Sequence, residues 1–92
     1  MKIKVIKRNK KTEYFDENKI KLVALASGLN NNDASKLTSI IANWVSERNK
    51  DTVTSLQIRD KMLIEMPKLD KPASLKFIWY EKYKDKNFRI DH

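Results

Sequence analysis

The helix-breaking residues of this chain of 92 residues number only three, one glycine and two prolines, and their positions restrict where its elements can end. Glycine accommodates the left-handed backbone that terminates many helices. Proline disfavours helical geometry in the residue before it and fits the first turn of a new helix. We therefore expect one helix to end before Gly28, another to run to about Glu65 and stop at Pro67, and a last one to begin at Pro72.

The segments between these breakers carry apolar residues at the spacing of one helix face, which predicts four helices. The first helix is expected from the capping residue Asp16 to Ser27, with inward positions at Ile20, Val23 and Ala24. A loop over residues 29–32 should follow it.

The second helix has the clearest pattern. It is predicted to start near Asn32 or Asp33 and to end near Arg48. Its apolar stripe is Ala34, Leu37, Ile41, Trp44 and Val45. Helical core spacing favours packing for Trp44 over contact with a ligand.

The third helix is predicted to begin at Thr54, because Thr54 and Gln57 have the spacing of a capping box. Its inward residues are expected to be Ile58, Met62 and Met66. The same core spacing assigns both methionines to packing.

The last helix, from Pro72 to about Lys86, has aromatic residues around most of its surface. Leu75, Ile78, Trp79 and Tyr83 share one side, and Phe77 and Tyr80 share another. Core packing is the favoured role of Trp79, Tyr80 and Tyr83, and a protein interface or base stacking are the alternatives. Lys82, Lys84 and Lys86 are expected to be a solvated face that suits the C-terminal end of the helix dipole.

The N-terminal segment has the period of a β-strand rather than that of a helix. Alternation over residues 3–8 predicts a strand, Asn9 and Lys10 a turn, and residues 12–15 a returning strand. Residues 52–53 can add a short third strand. The length fits a single domain over residues 1–92, and the expected fold is α+β, a small β-hairpin or three-stranded sheet packed on a four-helix cluster.

The charge balance favours anionic ligands. Lysine and arginine number 20 against 12 aspartate and glutamate, a formal charge of +8. The chain has no cysteine and one histidine, His92. Disulfides, zinc sites and cysteine nucleophiles are thereby excluded, no glycine-rich phosphate-transfer loop is present, and we expect no enzyme activity.

The longest apolar run, residues 22–26, is far shorter than the ~20 residues of a membrane span, so a cytoplasmic location is expected.

The first twenty residues concentrate charges that can converge on an anion. Lys7 and Arg8 stand at a strand end, Glu13 and Asp16 lie across the hairpin, and Lys19 is one turn into the first helix. A helix N-terminus adds backbone N–H groups and partial positive charge. Spacing alone does not separate such a site from a solvated surface.

The segment VIKRNKKTEYFDENKI, residues 5–20, resembles the opening of ATP-cone domains. Their pattern is approximately V-x-K-R-(D/N)-G, a few residues, and then F-(D/N)-x-x-K-I. The residues that match in order and spacing are Val5, Lys7, Arg8, Asn9, Phe15, Asp16, Lys19 and Ile20. The order of the predicted helices also resembles the family, so the similarity extends over nearly the whole chain.

This resemblance implies binding of ATP or dATP with Mg²⁺. It implies phosphate contacts from Lys7, Arg8 and Lys19. It implies adenine or ribose contacts from Glu13, Asp16, Ser55 and Arg59, and apolar walls from Val5 and Ile20. Domains of this family regulate ribonucleotide reductases or a repressor of their genes by changing oligomeric state, so the resemblance implies a homo-oligomer or a partner bound in trans.

Two residues depart from the family pattern. Lys10 replaces a usual glycine, which predicts a looser turn, and Glu81 stands where many members have arginine. The second departure predicts a phosphate contact that is missing or supplied by Lys82 or Lys84. A protein-interaction module that has lost its nucleotide is therefore one alternative. A nucleic-acid-binding transcriptional regulator, suggested by the +8 charge and the aromatic last helix, is the other.

Overall fold

The computed structural model describes residues 2–90, with the side chains of the last helix described up to residue 79 and at residue 81. Within that part of the chain, three short strands and four helices follow one another. Their order is β1 (Lys4–Ile6), β2 (Thr12–Tyr14), α1 (Glu17–Ala26), α2 (Asn31–Glu47), β3 (Thr52–Thr54), α3 (Ser55–Leu69) and α4 (Lys71–Ile90). The α+β class is confirmed, in its three-stranded form.

The sheet has the order β2-β1-β3, so the first strand lies in the middle. β2 pairs with it antiparallel, with Glu13 opposite Val5. β3 pairs with it parallel, with Val53 opposite Val5 and Thr54 opposite Ile6. Since parallel strands end at the same edge, the residues after β1 and the start of α3 leave the sheet side by side.

The turn between β1 and β2 is closed rather than loose. The Lys10 N–H donates to the Lys7 carbonyl at 2.9 Å, and the Lys7 N–H donates to the Lys11 carbonyl at 2.8 Å. The Asn9 side chain accepts a further bond from the Lys11 N–H at 3.0 Å. Lys10 takes the left-handed conformation, with φ of 68°. The expected loosening is wrong, because Lys10 adopts the backbone geometry that glycine would supply.

Helix α1 forms where its capping residues predict. The Asp16 carboxylate accepts from the Asn18 N–H at 2.9 Å, and Gly28 beyond the C-terminus has φ of 102°. Ile20 and Ala24 are buried as predicted. Val23 is not, because the neighbouring face of the helix borders a cavity rather than the core.

Helix α2 starts earlier than predicted, at Asn31. Asn30 caps it by accepting a bond from the Asp33 N–H at 2.7 Å, which shortens the preceding loop. The predicted stripe is confirmed as its core face, and Trp44 packs half-buried against the core.

Helix α3 has both bonds of the predicted capping box. The Gln57 N–H donates to Thr54 Oγ1 at 3.0 Å, and the Thr54 N–H donates to Gln57 Oε1 at 2.9 Å. The predicted end is wrong, because the helix continues through Pro67 to Leu69. A proline inside a helix costs about 3 kcal/mol. Burial of Met66 and packing of Leu69 on either side of Pro67 oppose that cost.

Helix α4 packs on the core through the side that carries Phe77. Ala73 and Phe77, one turn apart, are buried against the rest of the protein, whereas Leu75 and Trp79 are 61% and 70% exposed. Core packing of Trp79 is therefore wrong: the narrow Ala73–Phe77 stripe turns the opposite side outward. The side chains of Tyr80, Tyr83, Lys82, Lys84 and Lys86 lie outside the described residues.

A single apolar cluster joins the sheet to all four helices. Its largest fully buried members are Phe77, Leu37, Ile41, Met66, Val45 and Val53. None of the helices within residues 2–90 is both long enough and apolar enough to cross a bilayer.

Candidate functional site

A cavity of about 580 Å³ lies between one face of the sheet, the first turns of α1 and α3, and the middle of α4. Its volume falls within the range of roughly 300–1,000 Å³ that small-molecule sites occupy. All nine residues that the sequence nominates for nucleotide contact line it: Val5, Lys7, Arg8, Glu13, Asp16, Lys19, Ile20, Ser55 and Arg59. The structure thus brings the whole predicted set together, and the roles of its members remain predictions.

The floor of the cavity is apolar and comes from separate elements. Val5 of β1 and Ile20 of α1 belong to the buried core at its edge. Ile58 and Met62 of α3 and Phe77 of α4 complete this floor. A flat apolar group fits such a surface, because its burial removes further apolar area from water.

The cationic rim follows from the parallel register of β1 and β3. Lys7 and Arg8 continue from β1 at the edge where Thr54 ends β3 and Ser55 begins α3. Arg59 lies one turn further along α3 and lines the same cavity. Cations, a hydroxyl and a helix N-terminus therefore meet at one place, which is a favourable environment for an anion.

Lys19 and Glu13 face each other across the hairpin and α1. The Lys19 Nζ lies 2.7 Å from Glu13 Oε2. This hydrogen bond is the main reason why the pKa of Glu13 is lowered from its ordinary value of 4.5 and why that of Lys19 is raised from 10.5. Both side chains are charged at neutral pH, and water reaches the pair.

Arg8 and Glu81 form a second pair that joins the hairpin turn to α4. The Arg8 Nη2 lies 2.8 Å from Glu81 Oε2, and both side chains line the cavity. Sequence reasoning treated Glu81 only as the loss of a phosphate contact. It missed the pairing because the two residues are 73 positions apart.

Two other predicted residues also have structural contacts. Asp16 caps α1, as described above, while its side chain borders the cavity. Arg59 Nη2 contacts Asp60 Oδ1 at 3.0 Å at the surface. Asp16 therefore has a role in folding that is independent of any ligand.

Sequence reasoning missed several lining residues as site residues, namely Asn9, Tyr14, Phe15, Val23, Ile58, Met62, Phe77 and Glu81. A signal existed for two of them. Ser55, Ile58, Arg59 and Met62 follow the i, i+3, i+4, i+7 spacing of one helix face, so nominating Ser55 and Arg59 also indicates Ile58 and Met62. Phe77 gave no such signal, because aromatic residues surround α4.

The cavity combines an apolar floor with a charged rim. Its lining has four cationic and three carboxylate side chains. Among the described residues, no group of three histidine, cysteine or acidic side chains is arranged to hold a metal ion. The arrangement suits a ligand with a flat apolar part and an anionic part.

Comparison with known proteins agrees with the sequence pattern. No curated protein matches this chain. A family model described as the ATP cone domain matches residues 3–86, nearly all of the 92 residues. The chain belongs to the ATP-cone domain family.

Proposed function

We propose that the cavity binds ATP or dATP and that the bound nucleotide controls assembly with a partner. Family membership makes this a nucleotide-binding regulatory domain in general terms, and ATP-cone domains are regulatory rather than catalytic. The observation that carries the proposal for this site is the convergence of nine residues, chosen from sequence alone, on one cavity of suitable size.

The phosphates are proposed to lie against Lys7, Arg8 and Lys19. Arginine offers a planar fork to two phosphate oxygens, whereas lysine supplies a mobile point charge. Lys19 stands in the first turn of α1, where the helix dipole also favours negative charge.

The adenine ring is proposed to lie between Val5 and Ile20, above the floor that Ile58 and Met62 extend. The polar groups around this floor are the carboxylates of Glu13 and Asp16, the Ser55 hydroxyl and the Arg59 guanidinium. They offer both acceptors and donors to the base and the ribose.

Magnesium is proposed to enter with the phosphates. The described residues offer no three-ligand acidic cluster of their own. Mg²⁺ commonly keeps several waters and binds through substrate phosphates with only one or two protein carboxylates. Such a site needs no dedicated cage of side chains.

The output is proposed to be nucleotide-dependent self-association or binding in trans to a larger protein such as a ribonucleotide reductase. A ligand shifts assembly only if the two assembly states bind it with different affinities. Exposed Leu75 and Trp79, one turn apart on α4, supply apolar surface for such a contact.

A thermal-shift measurement tests nucleotide binding. ATP or dATP with Mg²⁺ at one hundred times its dissociation constant should stabilise the fold by about 2.7 kcal/mol. In a domain of this length that corresponds to a rise in Tm of about 10 °C or more. An unchanged Tm with both nucleotides would refute the binding proposal.

Light scattering on the same samples tests the assembly proposal, which requires a change in mass between the nucleotide-free and nucleotide-bound states.

A further inference from the structure

The ion pair of Arg8 and Glu81 places a carboxylate against one of the cations that are proposed to contact the phosphates. The guanidinium Nη2 donates to Glu81 Oε2 at 2.8 Å. Both residues line the cavity, Arg8 from the hairpin turn and Glu81 from α4. A carboxylate and a phosphate accept hydrogen bonds from the same N–H groups of an arginine. Glu81 therefore occupies a donor that a phosphate oxygen would otherwise use.

The neighbouring pair of Lys19 and Glu13 is a weaker competitor. Its side chains are 58% and 33% exposed, whereas those of Arg8 and Glu81 are 25% and 15% exposed. Charges in water are screened and exchange partners readily, and less hydrated charges attract each other more strongly. The pair that resists replacement by a phosphate is therefore the one at Arg8.

We propose that Glu81 competes with the nucleotide for Arg8, so that carboxylate and phosphate exchange at the guanidinium and Glu81 lowers the affinity of the site. This inference rests on the proposed function, because it requires a nucleotide phosphate in the cavity. The exchange removes one tie between the hairpin turn and α4.

The variant Glu81→Gln tests the competition with almost no change in shape. Glutamine keeps an oxygen that accepts from Arg8 but removes the negative charge. The unliganded variant should melt at a lower temperature than the wild type, since the ion pair becomes a hydrogen bond from the Arg8 guanidinium to an uncharged oxygen. Its dissociation constant for ATP with Mg²⁺ should fall by about tenfold, because the phosphates no longer displace a carboxylate.

The matched control is Glu65→Gln. Glu65 pairs with Lys61 at 3.0 Å, has a side chain 13% exposed, and does not line the cavity. This variant should also melt at a lower temperature, while its affinity for ATP equals that of the wild type. If losing a negative charge acted only through stability, the affinity for ATP would change by the same factor in both variants.

Calorimetric titration distinguishes the outcomes. If the wild type binds ATP and Glu81→Gln binds it no more tightly, competition is refuted and the proposed function stands. If neither protein binds ATP or dATP, the inference and the proposed function both fail. A gain that is equally large in the Arg8→Ala background would show simple repulsion and would also overturn the exchange at Arg8.

Discussion

Lys10 holds a backbone conformation that its side chain disfavours. Its φ of 68° closes the hairpin turn that carries Lys7 and Arg8. A left-handed residue with a Cβ costs roughly 1–2 kcal/mol, while glycine reaches the same geometry freely. We predict that Lys10→Gly raises the free energy of unfolding by about 1 kcal/mol, measured by urea denaturation.

Asn49 provides a control for this prediction, because it too is left-handed, with φ of 55°. Asparagine tolerates that region better than most residues. Asn49→Gly should therefore change the stability less than Lys10→Gly does. Equal stability of Lys10→Gly and the wild type would show that the lysine is not strained.

The pair of Glu13 and Lys19 should make stability depend on pH at both extremes. Folding lowers the pKa of Glu13 below 4.5, so its contribution is present above that pH and is lost as the pH falls through the folded pKa. Folding raises the pKa of Lys19 above 10.5, so its contribution is present below that pH and is lost as the pH rises through the folded pKa.

Glu13→Gln tests this dependence. The difference in unfolding free energy between wild type and variant should be constant between pH 4.5 and 10.5 and should shrink outside that window. High salt should also shrink it, because the pair is exposed. A difference that grows below pH 4.5 would contradict the assignment.

The predicted binding residues show what short-range pattern can and cannot supply. Lys7, Arg8 and Lys19 belong to one segment whose spacing is visible in the sequence. Glu81 became part of the site only through folding, because its partner Arg8 lies in a distant segment. The cations of the rim could thus be predicted from the sequence, whereas the ion pair between Arg8 and Glu81 could not.

At the scale of elements, the start of α3 is stabilised by a capping box that depends on two side chains. Thr54 and Gln57 satisfy N–H groups that the helix start would leave unpaired. We predict that Thr54→Ala lowers the free energy of unfolding by about 1 kcal/mol, measured by urea denaturation.

Thr52→Ala is the matched control, since Thr52 is exposed on the same strand and lies outside the cap. It should lower the stability less than Thr54→Ala. An equal loss in both variants would assign the effect to strand propensity rather than to the cap.

The starts of α1 and α3 were more predictable than the end of α3. A cap requires a short polar side chain at one position, as at Asp16 and Thr54, and the sequence shows it. The end of α3 depended instead on whether burial around Pro67 outweighs a lost hydrogen bond. The inward side of α4 was decided by packing of Phe77, and its sequence offers several apolar faces.

At the scale of the whole molecule, the site depends on one long-range pairing. The parallel register of β1 and β3 sets Ile6 beside Thr54 and so places Lys7 and Arg8 next to the start of α3. β3 has only three residues, too few to reveal a partner or a direction from their pattern. The hairpin and the helices could be predicted from local pattern, whereas only the family resemblance indicated that Ser55 and Arg59 would share a cavity with the hairpin.

The competing function, nucleic-acid binding, makes a different prediction about salt. Affinity for DNA or RNA should fall steeply as salt rises, because binding releases counterions. The site proposed here should bind ATP through a few contacts within one cavity, with a weaker dependence on salt. If the domain binds nucleotide and not nucleic acid, gel-shift assays at increasing salt should show no specific nucleic-acid complex.

The cavity is proposed to bind the phosphates of ATP or dATP through the cations that follow β1. Calorimetric titration of the wild type, Lys7→Ala and Lys36→Ala tests this claim most directly, since Lys36 is an exposed lysine of α2 outside the cavity. Binding to the wild type and Lys36→Ala should be equal, and Lys7→Ala should bind about tenfold or more weakly, as expected for a lost bond to a charged group. Equal affinity of all three proteins, or no binding by the wild type, would contradict the claim.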